Sequence, residues 1–408
     1  MPEAIVLAYS GGLDTSYCVP WLIDEYGAEV ITVTADVGGL DAGELGAKSR
    51  AAGATRHVHV DARRTFFDEI LRWLIAGNVL RGEFYPLCVG AERSLQAREV
   101  ARVARELGVT AVAHGCTAAG NDQVRFEVAL RTAAPDLKIL APIRDHAPSR
   151  DDEVAYLATK GVDVAASTGA YSINSGLWGV TIGGRETLDT AESIPEEAWA
   201  RTRGAFDSPR AAERHVIAFE RGVPCALDGA ALDPVALIEE LDALAAGFGI
   251  GRGIHLGETI LGNKGRVAFE APAASVLITS HRELEKLVLT ARQQRTKDHL
   301  ARIYGDLVHE GQFLEPSCRD IEALFESTQQ RVTGTVTVLL RTGSLFVEGV
   351  ASLHSLRAAS TAVYGEAAGE WSPEDAKGFS RLIGLPGILH ARAGTPAPGS
   401  SESAESAR

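Results

Sequence analysis

Several features are missing from this chain of 408 residues, and each absence excludes a class of protein. No CxxC pair joins the five scattered cysteines (Cys18, Cys88, Cys116, Cys225, Cys318), so neither a zinc site nor a redox pair is indicated. The odd count and wide spacing fit reduced thiols in a cytosol. No apolar run approaches the ~18 residues of a membrane span. Met1-Pro2-Glu3 leads straight into a strand-like run, without the pattern of a signal peptide. These features predict a cytoplasmic protein with no membrane partner. Basic residues are in deficit, 40 against 54 acidic, for a net charge of −14. A nucleic-acid binder needs a basic face, so nucleic acid is not expected as a partner. No internal repeat is visible.

What is present is ordinary globular material, 45% apolar and 23% charged. A chain of this length predicts two domains. Short apolar runs recur through the first third, at 5–8, 30–35, 57–60, 110–113 and 138–141. Amphipathic segments such as 65–76 and 94–107 separate most of them. Strands alternating with helices predict an α/β domain with a doubly wound parallel sheet. Ligands bind such sheets at the carboxyl ends of the strands, where the Ser10 loop, Ala35-Asp36 and His114-Gly115 fall. Pro20 lies inside the first predicted helix and should bend it. Beyond about residue 165 the pattern becomes mixed. Hairpins are predicted around Gly222 and Thr342-Gly343, and helices at 234–246, 283–291 and 298–304. The expected division is a nucleotide-binding domain at 1–165, an α+β domain at 166–360, an oligomerisation segment at 361–393 and a disordered tail at 394–408.

Residues 8–16 read Ala8-Tyr9-Ser10-Gly11-Gly12-Leu13-Asp14-Thr15-Ser16. A strand, a tight glycine turn and a helix N-terminus make an anion site, with backbone N–H groups pointing outward. Gly11 and Gly12 let a phosphate approach the backbone, and Ser10, Thr15 and Ser16 add hydroxyls. Asp14 repels phosphate, so it reads as a helix cap or as a ligand for Mg²⁺. A second motif spans 113–127, Ala-His-Gly-Cys-Thr-Ala-Ala-Gly-Asn-Asp-Gln-Val-Arg-Phe-Glu. Asn121, Asp122 and Arg125 lie within about one helical turn and can face one pocket. An Arg fork suits a carboxylate and an Asp suits an ammonium, so the group reads as an amino-acid receptor or as a capped surface helix.

The first pattern, SGGxDxS, resembles the pyrophosphate-binding loop of the ATP pyrophosphatases. With the second motif the chain resembles the argininosuccinate synthase family, over roughly residues 4–350. The likeness continues through Tyr85, Tyr171-Ser172, Lys264–Pro272 and Glu310-Gly311. It implies a Rossmann-like N-terminal domain, a C-terminal synthetase domain and a homotetramer. It also implies ligation of citrulline to aspartate through citrullyl-AMP, with ATP and Mg²⁺ and no metal bound by the protein itself. Carried over by position, Ala8–Ser16, Ala35 and Gly115 would hold ATP. Thr117, Asn121 and Asp122 would hold aspartate. Tyr85, Asn121, Arg125, Ser172, Thr181, Glu258 and Phe269 would hold citrulline. Asp14, Asp122 and Arg125 would be the catalytic group.

Departures from the family pattern cluster on the citrulline side. The usual GTSxARP is Cys88-Val89-Gly90-Ala91-Glu92-Arg93-Ser94, so Gly90 replaces a Ser. Thr181 replaces a Ser and Phe269 a Tyr. A customary Glu aligns with Gly257, one residue before Glu258. Asn174 and Gly176 replace an Asp and an Asn. An N-acetylated or other ureido acceptor is therefore an alternative to citrulline. A tRNA-modifying ATP pyrophosphatase and a non-catalytic nucleotide-binding protein are further alternatives.

Overall fold

The computed structural model describes residues 2–162 and 171–393. The tail predicted to be disordered lies outside them. Strands β1 (Ala4–Ala8), β2 (Glu29–Asp36), β3 (Arg56–Asp61), β4 (Ala111–Ala113) and β5 (Lys138–Leu140) form one sheet in the order β3-β2-β1-β4-β5. Every pairing in it is parallel. The chain switches direction at β1, so the loop after β1 lies where such sheets bind ligands. Alternation along β1 sorts the two faces. Ile5 and Leu7 pack with Val19 and Leu22 of the helix Leu13–Tyr26 and with Leu157. Val6 packs on the other face with Val100 and Val103 of the helix Arg93–Glu106 and with Phe126. The helix Leu13–Tyr26 continues through Pro20, which is buried.

Residues 171–354 add two antiparallel sheets. Strands β6 (Ser172–Gly176), β7 (Gly179–Gly183), β11 (Arg252–Glu258) and β12 (Lys264–Glu270) form the sheet β11-β12-β7-β6. Strands β8 (Glu213–Glu220), β9 (Val223–Leu227), β10 (Ala230–Ala231), β13 (Gly334–Arg341) and β14 (Ser344–Ala351) form the sheet β10-β9-β8-β13-β14. The hairpin at Arg221-Gly222 has φ of 50° and 80°, the paired positive values of a two-residue hairpin turn.

The helices here are longer than their apolar runs suggested. The expected pieces at 283–291 and 298–304 belong to the helices Pro272–Val288 and Ala291–His309. Thr290 and Gln293 form a capping box that starts the second helix. The helix Pro316–Gln329, capped by Glu315, was not anticipated.

One apolar core joins Phe66, Ile70, Leu74 and Leu87 to Ile217, Leu277, Tyr304, Phe325 and Val338. A buried polar cluster crosses the same boundary. Lys297 Nζ lies 2.6 Å from Glu285 Oε2 and donates to Ala76 O at 2.7 Å. Asn78 and Gln329 donate to the same carboxylate at 2.6 and 2.7 Å. Met1–His354 is one compact unit, and Ser355–Arg408 is a second. The described part of the second unit ends in the helix Pro373–Ala393, which exposes Phe379, Leu382, Ile383 and Leu389.

Candidate active site

Gly11 sits at φ +74°, a region open to glycine and strained for other residues. Gly12, at φ −77° and ψ 175°, is the residue before the helix and has no side-chain cap, leaving the first N–H groups of the helix open to a ligand. Ser10 Oγ lies 3.2 Å from Thr15 Oγ1 and accepts from Gly12 N at 3.4 Å. The loop is tied to the sheet beneath by Thr34 Oγ1, which donates to Tyr9 O at 2.6 Å. Gly115 faces the loop closely, and a Cβ there would come within 3.1 Å of Thr15 Cγ2. Asp14 is not the helix cap. Its carboxyl interacts with that of Glu153 in the helix Arg150–Thr159. Burial raises the pKa of Asp14, and burial together with the charge of Asp14 pushes Glu153 up to about 8. Each carboxylate raises the cost of ionising the other, and an arriving cation would offset both.

A cavity of about 820 Å³ opens over this loop. It reaches from Ser10, Gly12 and Asp14 past Ala35, Gly115 and Thr117 to Asn121, Asp122, Arg125 and Ser172. Phosphate loop and second motif thus meet in one space, although about a hundred residues separate them. Asp122 and Arg125 pair with each other at 2.7 Å, and Arg93 Nε donates to Asp122 Oδ2 at 3.0 Å. Burial raises the Asp122 carboxyl, but the two guanidiniums outweigh it and hold the group down to about 2. Arg125 also donates to His309 O at 2.7 Å and to His309 Nδ1 at 3.1 Å. Asn121 Oδ1 accepts from Ile260 N at 2.9 Å, pinning the β11–β12 turn to the motif.

A second cavity of about 210 Å³ shares Asn121, Asp122, Arg125 and Asn174 with the first. Tyr85, Gly90, Thr181, Glu258, His255 and His309 also line it. Cross-strand register sets part of its lining, because Asn174 and Thr181 are paired across β6 and β7. The preceding loop carries Leu87 at φ 63° and Val89 at φ 65°. A β-branched residue in that region is an outlier, and such strain concentrates at functional sites. Tyr85 is buried, donates to Cys88 O at 2.5 Å and stacks on His255 with centroids 5.2 Å apart. Burial, then the charge of Arg125, lowers His309 to about 3, so it is neutral.

Two of the expected citrulline residues are placed differently from the rest. Phe269 is 2% exposed, packs on Tyr85 and Phe84, and lines neither cavity. It fills room left by Gly253, where a Cβ would come within 2.2 Å of its ring. Glu258 is paired with Lys264 at 2.8 Å and is largely exposed. Arg93, Glu92, His255 and His309 were not singled out from sequence. Arg93 and Glu92 stand inside the altered segment after Tyr85, and that segment was the available signal. Among the described residues no group of three or more His, Cys, Asp or Glu is placed to hold a metal, and no helix is long and apolar enough to cross a membrane.

A nucleotide-type parallel sheet with a phosphate loop at its switch point, facing an amino-acid motif and an antiparallel second half, defines an ATP-dependent ligase. Residues 4–163 match the model of the arginosuccinate synthase N-terminal HUP domain, and residues 171–390 match that of the arginosuccinate synthase C-terminal domain. The chain is 42% identical to the argininosuccinate synthase of Xanthomonas campestris, over 95% of this chain and 98% of that protein. It is 38% identical to those of Dictyoglomus turgidum and Methanocaldococcus jannaschii, each over 96% of this chain and 98% of that protein. The chain belongs to the argininosuccinate synthase family.

Proposed function

We propose that this protein joins citrulline to aspartate at the expense of ATP, and that the two motifs carry the two halves of the reaction. The ureido oxygen of citrulline attacks the α-phosphorus of ATP and pyrophosphate leaves. The α-ammonium of aspartate gives up a proton to solvent, the free amine attacks the ureido carbon, AMP leaves with the electron pair of the C–O bond, and the nitrogen sheds its surplus proton to solvent. The supporting observation is the single cavity lined by both Ser10–Thr15 and Thr117–Arg125, continuous in its lining with the smaller pocket of Tyr85 and Thr181. Ala8–Ser16, Ala35 and Gly115 hold the nucleotide. N–H groups and hydroxyls of the loop offset the charge that develops on pyrophosphate.

Mg²⁺ enters as part of the ATP complex. A magnesium ion takes one or two carboxylates plus phosphate oxygens, which fits the lone loop carboxylate Asp14. Thr117, Asn121 and Asp122 hold aspartate, and Tyr85, Asn121, Arg125, Ser172 and Thr181 hold citrulline. Because Asp122 and Arg125 are already paired, substrates bind by inserting into an ion-pair network and not into empty charges. Residues 1–165 serve the nucleotide, 166–360 the synthetase half, and 361–393 assembly into a cytoplasmic homotetramer. The test is release of AMP and pyrophosphate from ATP with both amino acids. A kcat/KM at least about tenfold higher for citrulline than for N-acetylcitrulline is the expected result, and equal values would refute the acceptor assignment.

A further inference from the structure

Glu92 has no part in the reaction as written above, and its setting is unusual. It closes the short turn Gly90–Glu92 and is 1% exposed. Oε1 accepts from Arg93 Nη1 at 3.3 Å, while Oε2 is buried without a hydrogen-bond partner. A buried carboxyl oxygen without a partner is destabilising, so such an atom points to a group that arrives later. The oxygen lies where a side chain at 176 would stand. A Cβ on Gly176 would be 2.3 Å from Glu92 Oε2. Arg201 fixes the backbone there, donating to Gly176 O at 2.6 Å and Ser175 Oγ at 3.1 Å. The two positions are sterically linked, since the carboxyl fits only because residue 176 has no side chain.

Glu92 lines the larger cavity beside Thr117, Asn121 and Asp122. Each amino-acid substrate brings an α-ammonium group that needs an anionic partner. Asp122 is committed to Arg93 and Arg125, and Glu258 to Lys264. We infer that Glu92 Oε2 receives the α-ammonium group of an amino-acid substrate, from the space left free by the absent side chain of Gly176. This rests on the ligase reading above. Burial pushes the Glu92 carboxyl up to about 8, with Arg93, Arg201 and Arg125 pulling it down and Asp122 pushing it up.

The experiment compares the wild-type enzyme with Glu92→Gln, which keeps the shape and removes the charge, and with Glu92→Ala. KM is measured separately for ATP, citrulline and aspartate, with thermal unfolding as the control for folding. The expected result is a rise of about tenfold or more in KM for one amino acid in both variants, with KM for ATP within about twofold. Pyrophosphate–ATP exchange with citrulline and no aspartate identifies the source. A shifted citrulline half-saturation assigns the ammonium to citrulline, and an unshifted one with a raised aspartate KM assigns it to aspartate. Gly176→Asn should weaken the enzyme by crowding Glu92, and Glu92→Ala/Gly176→Asn should recover amino-acid affinity. If both amino-acid KM values stay within twofold in Glu92→Gln and Glu92→Ala, or all three rise together, the inference is wrong. A wild-type enzyme that releases no AMP with the two amino acids would instead refute the ligase reading itself.

Discussion

Valine substitutions at Gly11 and Gly12 should separate phosphate binding from folding, because the neighbouring glycines are needed for different reasons. Gly12 has φ −77° and ψ 175°, an extended conformation that suits valine. A Cβ there meets only Ser10 Oγ, at 3.5 Å, and Gly12 lines the large cavity. Gly12→Val should therefore fold normally while placing two methyl groups where a phosphate must approach. Gly11 is at φ +74°, and a Cβ there would lie 2.5 Å from Leu45 Cδ2. The left-handed conformation costs a non-glycine residue about 1–2 kcal/mol, and overpacking against Leu45 adds about 1–3 kcal/mol. Gly11→Val should thus lose roughly 2–5 kcal/mol of stability. Gly12→Val should lose less than about 1 kcal/mol of stability but at least about 100-fold in ATP affinity, or ~2.7 kcal/mol. Calorimetric titration with MgATP and urea unfolding of both variants read the two quantities. Unchanged ATP affinity in Gly12→Val would remove this loop from the nucleotide site. Equal stability of the two variants would refute the conformational argument for Gly11.

Asp122→Ala should abolish ligation yet leave pyrophosphate–ATP exchange with citrulline largely intact, and collapse of exchange with normal aspartate affinity would show that Asp122 serves the first half-reaction. Lys297→Met leaves the Glu285 carboxylate buried without its 2.6 Å partner, both side chains being at most 2% exposed. Loss of about 3–5 kcal/mol in urea unfolding is expected, and a neutral result would mean that Asn78 and Gln329 alone satisfy the carboxylate. His114 is 1% exposed, and burial, then the charge of Arg144, lowers it to about 4. Its folded pKa is below the unfolded value of ~6.5, so its contribution is present above pH ~6.5 and is lost as pH falls towards 4. His114→Asn, whose amide oxygen can still accept from Cys116 N, should flatten the stability–pH curve by up to about 3 kcal/mol over that window, and parallel curves for the two proteins would refute the assignment.

Much of the first half was legible in the sequence because its determinants are local. Apolar runs of strand length separated by amphipathic stretches predicted all five strands of the parallel sheet, and Ser10-Gly11-Gly12 marked the turn where a ligand can meet a helix end. Glycine at 222 marked a hairpin, since few other residues tolerate its φ of 80°. The full lengths of the helices Pro272–Val288 and Ala291–His309 were not legible. Their boundary depends on a capping box at Thr290, while long polar stretches such as Arg292–His299 obscure the periodicity.

The tertiary structure alone decided which side chains are committed to one another. Sequence spacing put Asp122 and Arg125 on one helix face, but not that they pair at 2.7 Å, with Arg93 as a further partner of Asp122 and His309 of Arg125. It presented Phe269 as a pocket residue, yet the absent side chain of Gly253 draws its ring into the core. It recorded Gly176 as a departure and passed over Glu92, and only the packing places the carboxyl of one in the side-chain space of the other. Periodicity and turn chemistry act over a few residues and so can be read along the chain. The pairing of charges and the filling of space act between residues up to a hundred or more positions apart, and they are fixed only when the sheets and helices bring those residues together.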